Sequence, residues 1–117
     1  MDNNAYVYYE YLRKLLLVLP GVTEKMCFGT PAFYVNKKIF ARIREDGETL
    51  VLGTRERDKW MQAKPDVYYI TDHYLNYDYM LVNMEKADPD ELKILLITAW
   101  RNRATQKLIN EYNNKDG

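Results

Sequence analysis

Apolar and polar residues recur with two different periods along this chain, and the changes of period divide it into elements. From Asn3 or Asn4 to Val18, the residues Tyr8, Tyr11, Leu12, Leu15 and Leu19 follow helical spacing and form one apolar stripe. Tyr9, Arg13 and Lys14 fall off that stripe. An Asn at the start can cap the free N–H groups. Pro20-Gly21 ends the helix, because Pro brings no donor and Gly tolerates the turn.

The period then shortens to two. Residues 23–28, 32–36, 38–44 and 48–53 read as strands, with turns at Gly29-Thr30-Pro31, Asn36-Lys37 and Asp46-Gly47. Asp-Gly between two such runs predicts a two-residue type I′ hairpin. In that register Glu45 opposes Glu48, Arg44 opposes Thr49, Ile43 opposes Leu50 and Arg42 opposes Val51. Ile39, Ala41, Ile43, Leu50 and Leu52 then share the core face, and Phe40, Arg42, Arg44, Thr49 and Val51 share the other. A one-residue slip would exchange the faces and bury two arginines, so it is rejected.

A short helix is predicted over 55–63, with Thr54 as cap, Asp58 in its first turns and Trp60 and Met61 as apolar anchors. Residues 67–70 and 79–84 read as strands around a loop at 71–77. Asp88-Pro89-Asp90-Glu91 opens the last helix with a capping side chain, a Pro at the first helical position and acids in the first turn. Leu92, Leu95, Leu96, Ala99, Trp100, Arg103 and Lys107 follow its spacing, apolar first and basic later. The expectation is one α+β domain over residues 1–112, in the order α-β-β-β-β-α-β-β-α, with a frayed tail at 113–117.

Composition changes this picture little. Of the 117 residues, 47% are hydrophobic and 29% charged, which is globular rather than disordered. Tyr is over-used, with 11 copies, and its apolar body and polar tip suit half-exposed positions. The net charge is zero, which argues against nucleic-acid binding driven by overall charge. The charge is unevenly spread, however. Residues 37–64 carry +3, residues 65–91 carry −6, and residues 93–107 hold four cations and no acid. A neutral total thus conceals a basic region and an acidic one. The single Cys27 leaves no internal disulfide and no multi-cysteine zinc site. No apolar run reaches membrane-spanning length and no signal sequence is evident, so a cytoplasmic protein without a membrane partner is expected.

Three features could carry chemistry, and each has a plainer reading. His73 is the only histidine, in Thr71-Asp72-His73-Tyr74. It can act as a base or ligand, but a loop histidine bonded to backbone is the simpler account. Cys27 has Lys25 as its nearest cation in sequence, and a packed strand thiol is simpler than a reactive one. A Cys27–His73 pairing across the sheet is the residual route to an enzyme; otherwise no nucleophile–base spacing is present. The acids between Asp66 and Glu91 read as a solvated face. No cofactor or metal is therefore expected. The basic and aromatic face of the hairpins remains, with Lys37, Lys38, Phe40, Arg42 and Arg44. Arginine forks suit phosphates, and aromatic rings suit stacking. The plainer reading is that such arginines keep an outer face soluble, paired with Glu45, Glu48 or Glu56.

The segments LPGVTEKMCFGTPAFYVNKKIFARI, TDHYLNYDYMLVNM and DPDELKILLITAWRNRA, in this order and spacing, resemble the MmcQ/YjbR-like proteins over residues 19–108. The resemblance implies a fold similar to the frataxin-like CyaY group: a two-layer sandwich with the N- and C-terminal helices on one face of an antiparallel sheet. Phe33, Lys38, Phe40 and Ala41 match its strand motif, Thr71, His73 and Tyr74 its loop motif, and Ala99, Trp100 and Arg101 its helix motif. Such proteins are generally described as predicted DNA-binding proteins. Frataxin-type iron binding is not carried over, because the first helix offers Glu10 amid Tyr, Arg and Lys.

Two functions are therefore expected to compete. The first is a non-catalytic module for double-stranded DNA, using Lys37, Lys38, Phe40, Arg42 and Arg44, flanked by His73, Tyr74, Arg101 and Arg103. The second is a protein or small-ligand interaction domain using the Tyr-rich stretch with Tyr68, Tyr69, Tyr74, Tyr77 and Tyr79, in a monomer or weak homodimer.

Overall fold

A computed structural model describes residues 3–115 of the chain, with side chains from 4 to 114. The first helix, α1 (Asn3–Leu16), ends two residues before its predicted limit. Leu12, Leu16 and Leu19 enter the core, and Tyr8, Tyr11 and Leu15 pack around them. Asn3 and Asn4, the expected caps, lie within the helix, and the residues before Asn3 lie outside the described ones. Tyr9, off the stripe, donates its hydroxyl to the Glu24 carboxylate, which also accepts from Arg13 Nε at 3.0 Å. These bonds fasten α1 to the first strand.

Six strands follow: β1 (Thr23–Cys27), β2 (Thr30–Val35), β3 (Lys38–Ile43), β4 (Thr49–Gly53), β5 (Tyr68–Tyr69) and β6 (Tyr79–Asn83). They form one antiparallel sheet in the order β1-β2-β3-β4-β6-β5. Helix α2 (Arg57–Ala63) lies between β4 and β5, and α3 (Pro89–Arg103) and α4 (Gln106–Lys115) close the chain. The α+β class and element order are as expected. The core lies between one sheet face (Phe33, Val35, Ala41, Ile43, Leu50, Leu52, Met80, Val82) and the apolar sides of α1 and α3. Asp88 caps α3 as predicted, its carboxylate accepting from Asp90 N–H at 3.0 Å. Among the described residues, no helix is long and apolar enough to cross a membrane.

Four local departures from the expected pattern matter. The β2–β3 ladder pairs Phe33 with Ala41 and Tyr34 with Ile39, leaving Phe40 as the extra residue of a β-bulge. The bulge interrupts strict alternation, so Phe40 turns inward and is fully buried, while Ile39 moves to the opposite, half-buried position. Phe40 is core, not surface.

The second departure concerns turns. The expected 43–50 and 42–51 pairs form, yet Asp46 lacks the positive φ that a type I′ turn requires. The chain instead closes a turn from Arg44 to Gly47, with Gly47 N–H donating to the Arg44 carbonyl at 2.9 Å. The Asp46 carboxylate accepts from the N–H groups of Glu48 and Thr49 and from Thr49 Oγ1 at 2.6 Å. This Asx-type cap holds the loop open by more than two residues, so Glu45 and Glu48 are not ladder partners. The type I′ geometry appears at Asn36-Lys37, with φ of 52° and 66°. It appears again at Phe28-Gly29, with φ of 53° and 80°, one residue earlier than the predicted turn.

The last predicted helix is two. Ala104 adopts extended backbone after α3, and Thr105 Oγ1 accepts from Leu108 N–H at 3.3 Å to start α4. The break folds Tyr112 onto Trp100, with ring centroids 5.2 Å apart. Helix α4 also runs through Lys115, so residues 113–115 are helical rather than a frayed tail, and the rest of that tail lies outside the described residues.

The fourth departure is Phe28. A left-handed backbone at a bulky residue is uncommon and unfavourable by about 1–2 kcal/mol, and this ring is 86% exposed. Its one described ring contact is the Arg42 guanidinium, 5.9 Å from its centroid. Replacing Phe28 by Asn, which accepts this conformation, is expected to stabilise the fold by about 1 kcal/mol. A thermal melt checks it: the midpoint should rise by several degrees, and an unchanged or lower midpoint would contradict the strain.

Candidate functional site

The outer face of the sheet is built by three rows of cross-strand neighbours. The middle row runs Lys25, Ala32, Arg42, Val51, Leu81, Tyr69. The row toward the Phe28 turn holds Cys27 and Thr30, then Thr49 and Asn83. Arg44 joins this row, its N–H donating to the Thr49 carbonyl at 2.8 Å. The row toward the Lys37 turn holds Thr23, Tyr34 and Ile39, then Gly53 and Tyr79. None of these residues is acidic. Ala32, Val51 and Leu81 are buried in the middle.

Arg42 has only 13% of its side-chain surface free. Its Nη1 donates to Thr30 Oγ1 at 2.8 Å and to the Glu45 carboxylate at 3.4 Å. Glu45's own backbone N–H, then Arg42, hold the Glu45 carboxyl below its ordinary range. Arg42 thus organises the β1–β2–β3 surface more than it presents a charge. Arg44 is half-buried, Lys25, Lys37 and Lys38 are exposed, and none of these four enters an ion pair among the described residues. Lys25 Nζ lies 5.8 Å from the Tyr34 ring centroid. Burial, then the neighbouring Cys27, raise the Tyr34 hydroxyl above its usual range.

Lys37 and Lys38 sit at the β2–β3 turn, at the end of the sheet where β4 finishes and β6 begins. The loop with His73 and Tyr74 reaches the same end. His73 is exposed and meets Tyr74 edge-on at 4.8 Å, while Tyr74 meets Tyr79 at 6.4 Å. Tyr79 in turn donates its hydroxyl to the Ile39 carbonyl at 3.0 Å. Arg103 lies over the Tyr79 ring at 5.2 Å. The structure therefore gathers Lys37, Lys38, His73, Tyr74 and Arg103 at one end, with Arg42 and Arg44 farther along β3. Arg101 points elsewhere, onto Tyr112 of α4 at 5.6 Å.

Sequence reasoning missed the residue that shapes this end. Arg57 donates from Nη1 to the carbonyls of Tyr74, Tyr77 and Tyr79 at 2.8, 2.7 and 3.0 Å, and from Nη2 to Leu75 at 2.9 Å. A planar fork with five donors can clamp a loop in this way. No sequence signal marks Arg57 apart from its place in the first turn of α2. The competing Tyr-rich surface loses a member: Tyr68 is fully buried and donates to Glu91, so it is unavailable to a partner. Burial and then Glu91 push its hydroxyl well above the usual tyrosine range.

Cys27 lies on β1 and His73 beside β6, four strands away, or about 19 Å at sheet spacing. They do not meet, which corrects that pairing. Among the described residues, no group of three His, Cys, Asp or Glu side chains is arranged to hold a metal.

A model of the YjbR family matches residues 17–102. This chain belongs to the YjbR family. The crystal structure of Deinococcus radiodurans protein DR2400, which carries the domain DUF419, is similar in fold: TM-score 0.72, 20% identity, covering 88% of this chain and 86% of that one. No curated protein matches the chain. The YjbR match spans the whole sheet and all but the last residue of α3, so the basic sheet face lies entirely within the family domain.

Proposed function

We propose that this YjbR-family domain is a non-catalytic binding module that docks on the phosphate backbone of double-stranded DNA. The observation that supports it is a sheet face whose cross-strand rows hold no acid, with the Glu45 and Asp46 carboxylates at its Arg42–Thr49 edge and with exposed Lys25, Lys37 and Lys38 and half-buried Arg44 along it. Local charge of this kind acts at phosphate distance even when the net charge is zero, because distant acids are screened beyond about 10 Å. Arg42 holds the hairpins in place, and His73 and Tyr74 flank the surface. Phe40 leaves the set because it is buried, and Arg101 and Arg103 leave it because they rise from α3, which packs on the opposite face of the sheet. Lysine contacts to phosphate carry little sequence information, so recognition is of backbone rather than bases. The domain acts in the cytoplasm, without a cofactor.

A titration of labelled duplex DNA tests this. With about four phosphate contacts, log K should fall against log salt with a slope of roughly −3 to −4. Lys37→Gln with Lys38→Gln should weaken binding for every sequence and reduce the slope by about two. Absence of binding at low salt with tens of micromolar protein, or binding indifferent to these two substitutions, would overturn the proposal.

A further inference from the structure

Behind the Tyr79 end of the sheet, two adjoining cavities open between the β4–α2 connection and α3, and both are lined by Gly53, Thr54, Arg55 and Asn102. The smaller, about 40 Å³, reaches Arg103 and Asp78. The larger, about 280 Å³, has an apolar wall of Trp60, Ile94 and Leu95, with Lys59 and Glu56 at its rim.

Gly53 lies against the inner cavity. A Cβ there would stand 2.8 Å from Arg103 Nη2, so a side chain at this position would push the guanidinium from its place over Tyr79. Arg103 is half-buried, and neither it nor Arg55 enters an ion pair among the described residues. Glu56, the nearest acid on the outer rim, is taken by Lys59 at 3.6 Å. Asp78 is the other acid of the cavity; its backbone carbonyl accepts from Thr54 N–H at 2.9 Å, and its carboxylate enters no ion pair among the described residues. A half-buried guanidinium outside any ion pair among the described residues, beside a second arginine, an amide and a hydroxyl, can receive an anion. The apolar wall adds room for one ring.

We infer that this cleft binds a small organic anion, a single ring bearing one carboxylate or phosphate, with Arg103 and Arg55 on the anionic group and Trp60, Ile94 and Leu95 on the ring. The cleft adjoins the Tyr79 end of the sheet face, but its binding groups are not those of the DNA reading and it does not depend on that reading.

Isothermal titration with benzoate, phenyl phosphate and neutral benzyl alcohol tests it. Both anions should bind one site saturably below about 10 mM, and the alcohol should not. Arg103→Gln should weaken binding about tenfold or more, and Gly53→Ala should do the same by displacing Arg103. Arg55→Gln, at an exposed residue, should weaken it several-fold and guards against a misfolded Arg103 variant. Lys37→Gln with Lys38→Gln should leave it unchanged. No saturable binding of either anion, equal binding of benzyl alcohol, or affinity unmoved by both Arg103→Gln and Arg55→Gln would overturn the inference.

Discussion

Replacing Trp100 by Ala is expected to remove about 3–5 kcal/mol of stability, a large share of the roughly 5–15 kcal/mol that holds a domain together. Trp100 is fully buried, among the largest side chains of the core, and three parts of the chain meet on it. Its indole N–H donates to the Pro20 carbonyl at 2.9 Å, which fixes the exit of the first helix. Its ring receives Tyr112, which fixes α4 after the break at Ala104. Truncation therefore opens a large cavity, leaves a buried carbonyl without its donor and unseats a helix. Trp100→Phe separates these contributions: most of the packing returns, the hydrogen bond does not, and the loss should be about 1–3 kcal/mol. Urea denaturation of both variants measures the difference. Equal, small losses would contradict the anchoring role.

The second large effect is expected at Arg57. Removing its side chain leaves four carbonyls without their shared donor, and the segment from Tyr74 to Tyr79 has no other described clamp of this kind. Bonds from a charged donor are stronger than neutral ones, but several of these acceptors face water, which discounts each. Arg57→Ala should thus lower stability by about 2 kcal/mol and loosen that loop selectively. Hydrogen exchange should show faster exchange in residues 72–79 while the β2–β3 ladder keeps its protection. Arg57→Lys should recover little, because an ammonium cannot reproduce the planar fork. Unchanged exchange in the loop would contradict the clamp.

Much of this fold could be read before any coordinates. Periodicity located every strand and the first helix, and Asp88-Pro89 marked the start of α3. The hairpin register at Arg42–Val51 followed from keeping arginines out of the core. The misreadings share one cause: the signal was local and the outcome was not. Phe40 carries no mark of a bulge except that it precedes another apolar residue, Ala41, where alternation demands a polar one. That irregularity was visible and indicates that both residues face inward. Asp46-Gly47 is a strong type I′ pair, yet the Asp46 carboxylate found three donors in a wider turn, so side-chain capping overrode the dipeptide preference. The break at Ala104 has no Gly or Pro; only Thr105, a capping residue inside a helical pattern, hinted at it. Of the candidate site, the cations were legible and their partners were not. Nothing in the sequence says that Arg42 would be held by Thr30 and Glu45, that Arg103 would reach past Gly53, or that Phe28 would stand in the open.

Amide chemical-shift mapping of the labelled protein with a short DNA duplex tests the central claim most directly. The account predicts that the largest shifts fall on Lys25, Tyr34, Lys37, Lys38 and residues 42–44, and that they fade as salt is raised. Shifts confined to α3 and α4, or no shifts at all, would contradict it.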